Sequence, residues 1–351
     1  MKKRMHVKKI WGPFIFLFFV MSGLSFAADQ AVIEAAKKEG QLVIYTVFTR
    51  RFLPPIGDLF KKQYKLGNDF KVLFTRKGTG ATIQMIEAEH MSGKSSWDIV
   101  EQSDESAFLR WIDMGALMKY QPTNLNLLKK DFIDPLGYRV PCTGWISSVA
   151  INKKRVAEKD YPKKYTDVLD PKWKKRIGIS NPATAGPAVM FTKFMVDLYG
   201  WDYFRKLGKN EPVLAKGNAA QEQLLLSGEI DLSICPNEFS VLDRIKKGET
   251  DLKVLYPGPE TGFYIMWTGI NKTAKHPNAA KLWMEFNVSD KRNDFVAKNA
   301  GRYIGSKNVK LGYPRPDFKL HKVDWKWIKE HKTEMVKRFM EEIKKGMAEG
   351  K

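Results

Sequence analysis

The sequence has very few cysteines. Only Cys142 and Cys235 occur among its 351 residues, so a framework of several disulfides is excluded and the chain needs a large apolar core for its stability. In an oxidising compartment these two cysteines could form one bridge. The sequence does not show whether they meet, and that question stays open.

The sequence also lacks the common signatures of catalysis. It has five histidines and contains neither an H-E-x-x-H nor a G-x-S-x-G motif, so it gives no support for a zinc protease or a serine hydrolase. The segment "KGTGAT" has two glycines of a dinucleotide-binding fingerprint, but Ile83 stands where the third belongs. One Glu87-x-x-His90 pair is interpreted as part of a surface helix face. We therefore expect no cofactor and no resident metal.

Long apolar runs are equally scarce. The run "WGPFIFLFFVM" follows a start with five basic residues, and Ser25 and Ala27 occupy the small-residue positions after it. This pattern predicts a signal peptide over residues 1–27, cut after Ala27. No cysteine follows the run to carry a lipid anchor, and no second segment is long enough to span a membrane. We expect an exported, soluble mature chain.

Charge of one sign dominates the composition. The formal net charge is +21, and it falls to +16 when the five basic residues of the predicted signal peptide are removed. Such a balance is compatible with nucleic acid, an anionic surface or a small anion as partner. The lysines are scattered, and many stand at helical spacing from acids, as in "EMVKRFMEEIKK". Without a dense basic arm or an RNA-binding motif, nucleic acid is not expected as a partner.

Strand-like and helix-like segments alternate along the chain. Strands are predicted at 41–48, 70–76 and 97–103, each followed by a helical pattern, and a second series begins after the β-rich segment 138–154. This alternation predicts an α/β fold with two domains and largely parallel sheets. Ligands of such sheets bind beyond the carboxyl ends of the strands.

The segment "RIGISNPATAG" raises a specific question about a helix start. A strand ends before Asn181, and the small residues Thr184, Ala185 and Gly186 precede a long apolar helix. Helix starts carry unpaired backbone N–H groups and a partial positive charge, so a small-residue loop there is a natural anion site. An ordinary cap in front of a buried helix is the alternative, and these residues alone leave both open.

Three segments carry a resemblance to a known family. "DPKWKKRIGISNPATAG", "SGEIDLSICPNEF" and "HPNAAKLWMEF", in this order, resemble the periplasmic solute-binding proteins of ABC importers. The resemblance covers nearly all of residues 30–310 and is nearest to the branch that binds ferric iron, phosphonates or sugar phosphates. It implies a type II-like periplasmic-binding-protein fold of two α/β lobes joined by hinge strands, with the ligand in the cleft and hinge closure around it.

The resemblance also implies an organisation and a set of partners. We expect one lobe from residues 28–138 and 267–309, and the other from residues 139–266 and 310–351. The protein would act as a monomer in the periplasm. It would deliver its solute to an inner-membrane permease with a cytoplasmic ATPase, and it would catalyse no reaction.

The iron chemistry of the family is not matched by this sequence. Ferric-iron binders present two adjacent tyrosines after the "GEID" strand, where this chain has Glu238 and Phe239. The family's histidine at the first strand end corresponds to Thr49, and its acidic ligand corresponds to Ser103, with Asp104 one position later. Glu238 and Asp104 are too few ligands for a closed ferric site. A ferric site with a rearranged ligand set remains the alternative within the family.

The anion-binding features of the family, unlike its iron ligands, are matched by this sequence. In its ferric relatives, the loop that matches residues 182–186 holds an anion at a helix start, and "KGTGA" offers a second helix start in the other lobe. Backbone N–H groups and the hydroxyls of Thr79 and Thr184 could grip a carboxylate or a phosphate. The predicted ligand-binding residues are Thr49, Gly78, Thr79, Gly80, Ser103, Asp104, Thr184, Ala185, Gly186, Asn237, Glu238 and Tyr264.

Further side chains have two interpretations each. Arg50, Arg139 and Arg302 could pair with an acidic ligand, or they could be exposed arginines. Trp145 and Trp267 could wall the pocket, or pack in the core or hinge.

The sequence therefore predicts a substrate-binding protein for a small, anionic, non-ferric solute. Phosphonates, sugar phosphates and organic acids all fit, and the sequence does not rank them. Two other classes stay open. One is an exported enzyme that uses Asp104 and Glu238 as an acid–base pair. The other is a basic exported protein that binds polyanions.

Overall fold

The structure is a computed structural model that describes residues 20–313, 315–316 and 319–351. Of the predicted signal peptide, residues 1–27, the first 19 lie outside the described residues, and the backbone of the rest belongs to the first helix. Within the part of the chain that is described, no helix has the length and apolar character needed to cross a membrane.

Helices and strands alternate through most of the described chain. The helices are α1 (Val20–Glu39), α2 (Leu53–Tyr64), α3 (Thr79–Met91), α4 (Glu105–Asp113), α5 (Gly186–Tyr199), α6 (Asp202–Lys209), α7 (Asn218–Ser227), α8 (Glu238–Lys246), α9 (Pro277–Val288), α10 (Asp290–Ala300) and α11 (Trp325–Glu349). The strands are β1 (Gln41–Thr46), β2 (Lys71–Arg76), β3 (Ile99–Gln102), β4 (Leu117–Met118), β5 (Arg139–Ile146), β6 (Val149–Asn152), β7 (Ile177–Ser180), β8 (Val213–Ala215), β9 (Leu232–Ile234), β10 (Leu252–Leu255), β11 (Glu260–Asn271) and β12 (Lys319–Lys322).

The strands form two sheets. The first has the order β12-β11-β3-β1-β2, and β4 and β5 also pair with β11. Its strands β1, β2 and β3 are parallel, whereas β11 runs antiparallel to β3 and β5. Every residue of β3 and β5 is buried, as expected for strands covered on both faces. The first sheet and the helices around it are called the first lobe below.

The second sheet has the order β10-β6-β9-β7-β8. Strands β7, β8 and β9 are parallel, and β6 and β10 join them as antiparallel strands. This sheet with helices α5 to α8 is called the second lobe. Two separate sheets with helices between their strands confirm the predicted α/β class.

The strand pairing does not follow the domain boundaries expected from the sequence. The chain passes from the first sheet to the second at residues 147–148 and returns at residues 256–259. The expected boundaries, 138/139 and 266/267, therefore separate β5, part of β11 and β12 from the sheet that contains them. The β-rich pattern of these strands shows that they cross between lobes, but it does not show with which strands they pair.

The C-terminal helix α11 is fixed to the second lobe by a close helix crossing. A Cβ atom on Gly346 would lie 1.9 Å from the carbonyl oxygen of Arg205 and 2.8 Å from the Cα of Gly208, both on α6. Backbone therefore meets backbone at this crossing, and only glycine leaves the required space. The buried Phe339 and Ile343 are part of the same helix, and the ring of Phe339 meets Phe204 of α6 edge to face.

We expect Gly346→Ala to lower the free energy of unfolding by about 1–3 kcal/mol, because the added methyl group has to displace the backbone of α6. Urea denaturation of the mature protein measures this change. Lys345→Ala is the matched control, since that side chain is exposed on the same helix turn. Equal stability of the two variants would contradict the close crossing.

Candidate functional site

A cavity of about 320 Å³ lies between the two lobes. It opens where strand ends of both sheets face each other, beyond β1, β2 and β3 of the first lobe and β7, β8 and β9 of the second. The first lobe lines it with Val47, Thr49, Arg76, Gly78, Thr79, Ser103, Trp145 and Arg302. The second lobe lines it with Thr184, Ala185, Pro187, Lys216, Gly217, Asn218, Ala219, Ala220, Asn237 and Phe239.

Four helices start at this cavity. The residues that precede α3, α5, α7 and α8 are Gly78, Ala185, Gly217 and Asn237, and all four line the cavity. None of them gives its helix a side-chain cap. Because the first turn of a helix has no internal acceptors for its N–H groups and carries partial positive charge, each start favours an anion.

In the part of the chain that is described, three cationic side chains add to this potential, and no acidic one opposes it. Arg76, Lys216 and Arg302 line the cavity, whereas none of its lining residues is an aspartate or a glutamate. Burial, together with the charge of Arg50, lowers the pKa of Arg76. The cavity is therefore a positively charged site with low-dielectric walls, and such a site concentrates anions.

Arg302 is the most unusual of these cations, because it is only 3% exposed. Its Nη2 donates a hydrogen bond to Oγ1 of Thr49 at 2.8 Å, and its Nε has no partner. The guanidinium carbon lies 3.8 Å from the ring centre of Phe239 and 4.2 Å from that of Phe48. Burial lowers the pKa of Arg302 to about 10, so the side chain remains charged at neutral pH. Among the described residues, no carboxylate pairs with it.

Hydroxyl groups connect the loops around the cavity. Oγ1 of Thr79 and Oγ of Ser103 are 3.3 Å apart in the first lobe. The hydroxyl of Thr184 donates to the carbonyl oxygen of Lys216 at 2.8 Å, which joins two loops of the second lobe. The hydroxyl of Thr49 accepts from Arg302. These bonds fix the loop geometry without occupying the helix starts.

The two lobes touch beside the cavity at Gly186, the first residue of α5. A Cβ atom at this position would lie 2.6 Å from Oγ of Ser103 and 3.4 Å from Cγ2 of Thr79. A side chain here would therefore keep the lobes apart unless Ser103 moved. Gly80 lies at the same contact, since its Cβ would come within 4.0 Å of the carbonyl oxygen of Ala183.

Most of the residues predicted from the sequence lie at this place. Seven of the twelve line the cavity, and these are Thr49, Gly78, Thr79, Ser103, Thr184, Ala185 and Asn237. Gly80 and Gly186 lie at the adjoining contact between the lobes. The other three, Asp104, Glu238 and Tyr264, lie elsewhere.

Asp104 does not line the cavity because its carboxylate is used inside the protein. The residue is fully buried, and its Oδ1 caps α4 by accepting from the backbone N–H of Ser106 at 3.1 Å. Its Oδ2 forms an ion pair with Lys332 of α11. Burial alone would raise the pKa of Asp104, but the charge and hydrogen bond of Lys332, together with Ser106, hold it below its usual range.

Glu238 is also turned away from the cavity. It is fully buried and forms an ion pair with Nε of Arg315 at 2.7 Å, and it accepts a hydrogen bond from the hydroxyl of Tyr256. Its neighbour Phe239 lines the cavity instead. The sequence could not show this orientation, because Arg315 lies far along the chain.

Tyr264 belongs to another cavity of about 350 Å³, between α4, β11 and the segment 322–326. Its ring packs against Trp145 with the centroids 3.8 Å apart, and Trp145 rather than Tyr264 lines the interlobe cavity. Trp267 and Arg139 line the same second cavity, where Arg139 pairs with Glu105 and Asp134. Arg50 is exposed and does not line the interlobe cavity.

Several lining residues were not predicted from the sequence, chiefly Arg76, Lys216, Asn218 and Phe239. One signal for them was present: "KGTGA" and "KGNAA" both place Lys-Gly between a strand and a helix, once in each lobe. This repeated pattern pointed to a second-lobe helix start at Asn218. Arg76 and Phe239 carry no comparable local signal.

Metal-binding side chains are not grouped in the described parts of the chain. Within residues 20–313, 315–316 and 319–351, no three His, Cys, Asp or Glu side chains lie close enough to hold a metal ion. Cys142 and Cys235 are both free and buried, so the disulfide that the sequence left open is not formed here.

Comparisons with known proteins agree with this architecture. A family model described as bacterial extracellular solute-binding protein matches residues 94–331. An uncharacterised protein of Haemophilus influenzae is 24% identical over 286 residues, which are 78% of this chain and 80% of that protein.

Two solved periplasmic binding proteins are similar in structure. AfuA of Actinobacillus pleuropneumoniae, with exogenous fructose-6-phosphate bound, matches with a TM-score of 0.75 and 23% identity, over 87% of this chain and 98% of its own. Iron-bound HitA of Pseudomonas aeruginosa matches with a TM-score of 0.73 and 20% identity, over 86% of this chain and 99% of its own. These matches confirm the predicted two-lobed fold.

We expect Arg302→Met to raise the free energy of unfolding by about 1–2 kcal/mol while it removes the cation from the cavity. The buried charge of Arg302 has one hydrogen bond, to Thr49, and no carboxylate partner among the described residues, so its burial destabilises the fold, whereas methionine keeps contact with the aromatic rings. Urea denaturation at neutral pH, without added solute, measures this change. Arg292→Met is the control, because Arg292 is equally buried but donates to the carbonyl oxygen and sulfur of Cys142, and its loss should destabilise. A similar loss in both variants would contradict the prediction.

Proposed function

We propose that this chain, which belongs to the bacterial extracellular solute-binding proteins, captures a small anionic, non-ferric solute between its lobes. It then delivers that solute to the permease of an ABC importer. One observation carries the proposal: four helix starts and three cations surround a cavity that no carboxylate of the described residues lines.

The electrostatics of the cavity favour an anion over a neutral or cationic solute. Each helix start near a negative charge contributes roughly 0.3–1 kcal/mol, and a guanidinium can hold two oxygens of a carboxylate or phosphate at once. Arg302 and Arg76 come from the first lobe and Lys216 from the second, so one acid group can be contacted from both sides. Contacts from both lobes are what make closure depend on the solute.

The remaining walls indicate that the solute carries an organic part. Val47, Trp145, Pro187 and Phe239 give the cavity apolar and aromatic surface beside its cationic groups. A phosphate ester, a phosphonate or an organic acid would use both kinds of wall. The presence of fructose-6-phosphate in AfuA shows that this fold can hold a phosphorylated sugar, and it supports the same class here.

Ferric iron is the principal rival, since HitA is iron-bound. The positions that would supply iron ligands hold the wrong groups for it: Phe239 and Thr49 line the cavity, whereas Glu238 and Asp104 are buried in ion pairs with Arg315 and Lys332. Fe(III) needs several anionic oxygen ligands directed at one point. The described residues of the cavity walls offer none.

The family and the similar structures are binding proteins, as the sequence predicted, and not enzymes. An exported enzyme of the kind left open by the sequence would need Asp104 and Glu238 as an acid–base pair. Both are fully buried and ion-paired, and they lie on different lobes. We propose that the protein works in the periplasm as a monomer, together with a permease and its ATPase.

We expect a thermal-shift screen of the protein from residue 28 onward to find stabilisation by one class of small anion and none by ferric salts. At a hundredfold excess over the dissociation constant, a ligand that binds only the folded state adds about 2.7 kcal/mol. The screen should contain phosphonates, sugar phosphates, carboxylates that include iron-free citrate, and ferric citrate, each at the same ionic strength, so that an effect of iron is read as the difference between the two citrate samples. Stabilisation by iron alone would contradict the proposal.

We expect Lys216→Met to weaken binding of the anion found in that screen by about tenfold, because a charge-assisted hydrogen bond contributes roughly 1.5–3 kcal/mol and Lys216 is exposed to solvent. Titration calorimetry at two salt concentrations measures the change. Lys94→Met is the control for net charge, since Lys94 is exposed beyond the far end of α3. Equal affinities of the two variants would show that Lys216 does not contact the solute.

A further inference from the structure

Arg302, one of the three cations of the cavity, lies between two aromatic rings. Its guanidinium carbon is 3.8 Å from the ring centre of Phe239 and 4.2 Å from that of Phe48. Ring faces attract a cation without the directionality of a hydrogen bond. Among the described residues, its one hydrogen bond to the protein runs from Nη2 to Thr49. The position of this guanidinium therefore depends on how its own backbone and Phe239 are held.

A second arginine, Arg315, holds the backbone next to Arg302. Its Nη2 donates to the carbonyl oxygen of Gly301 at 2.7 Å, and its Nη1 donates to that of Tyr313 at 3.3 Å. Gly301 directly precedes Arg302 and has a φ of +63°, and a Cβ atom there would lie 2.2 Å from the ring of Tyr313. The backbone that carries the cavity cation is therefore packed closely against the segment that contains Arg315.

Glu238 connects Arg315 to the aromatic side of the same cation. Nε of Arg315 lies 2.7 Å from Oε1 of Glu238, and Nη2 lies 3.4 Å from Oε2. The two side chains are 2% and 0% exposed, so each charge depends on the other in place of water. Glu238 directly precedes Phe239, whose ring lies against the guanidinium of Arg302.

We propose that Glu238 and Arg315 are positioning residues for the anion site. Their ion pair holds Phe239 through its neighbour Glu238, and it holds the backbone of Arg302 through Gly301. One buried contact thus aligns both the cation and the ring on which it stacks, and it fixes how the guanidinium faces the cavity. This inference rests on the proposed function, because Arg302 is there a group that meets the acid group of the solute.

The experiment observes the Nε–H group of Arg302 by NMR, in the protein from residue 28 onward with labelled arginine and without added solute. Arg302→Met identifies the signal by its loss. A proton over the face of an aromatic ring resonates upfield, and a buried N–H exchanges slowly with water. Nε of Arg302 is buried and has no partner among the described residues. The wild-type signal should therefore be shifted upfield and exchange slowly.

We expect the double variant Glu238→Gln with Arg315→Met to move this signal to the position of exposed arginines. Its exchange with water should become at least about tenfold faster, since the stack then opens more often. Glutamine keeps an acceptor for the hydroxyl of Tyr256, and the removal of both charges leaves no unpaired ion in their place. The double variant should therefore fold while the positioning of Arg302 is lost.

Arg244→Met is the matched control. Arg244 lies at the other end of the same helix α8 and pairs with Glu222 of α7, so its loss should leave the Arg302 signal unchanged. An equal change in Arg244→Met would overturn the proposal, because any disturbance of α8 would then have the same effect. An unaltered signal in the double variant would also overturn it, as would a wild-type signal that is unshifted and exchanges rapidly.

If the double variant does not fold, Arg315→Lys carries the test. Lysine keeps a charge beside Glu238 but lacks the planar fork that reaches the carbonyl oxygen of Gly301 at the same time, so the Arg302 signal should again change. No solute is present in any of these samples. A screen that finds no anion would therefore count against the proposed function, and the NMR result would still decide how Arg302 is positioned.

Discussion

The order of strands and helices determines the electrostatics of this protein. When parallel strands alternate with helices, each helix that follows a strand starts at the carboxyl edge of its sheet. Two such edges face each other here, so the positive ends of α3, α5, α7 and α8 meet in one cavity. Gly78, Ala185 and Gly217 have no side chain that could cap these starts. The topology therefore places partial positive charge in the cavity. Because the residues before the helices do not cap them, this charge is available to a ligand.

Two buried charged side chains beside this cavity differ in whether they have an ion-pair partner. Asp104 is neutralised by its ion pair with Lys332 and accepts a hydrogen bond from the N–H of Ser106, so the pair adds no net charge to the site. Arg302 has aromatic rings and Thr49 as neighbours but no counter-ion among the described residues. At Arg302, an anionic solute in the cavity would supply the missing partner. A site arranged in this way gives up some stability of the fold in favour of binding.

Much of this could be predicted from the sequence, and the limits have physical causes. The position of Thr79 and Thr184 follows from local patterns, because a strand, a small-residue loop and a helix are adjacent in the chain. The orientation of Asp104 and Glu238 does not follow, since it depends on Lys332 and Arg315, which are distant in sequence. Strand partners at the hinge are likewise nonlocal, so the expected lobe boundaries differ from the observed sheets. The charge and helix starts, which are local properties, predicted the class of solute that we propose.

The remaining question is why the lobes should not stay closed at all times. Closure removes water from a cavity with three cations and four helix starts, and that loss of solvation is unfavourable unless an anion enters. The contact of Gly186 with Ser103 and Thr79 acts in the other direction, because it joins the two lobes. Because these two effects oppose each other, the open and closed states are close in free energy. A solute that contacts both lobes can then decide between them, since its binding energy acts on the closed state alone.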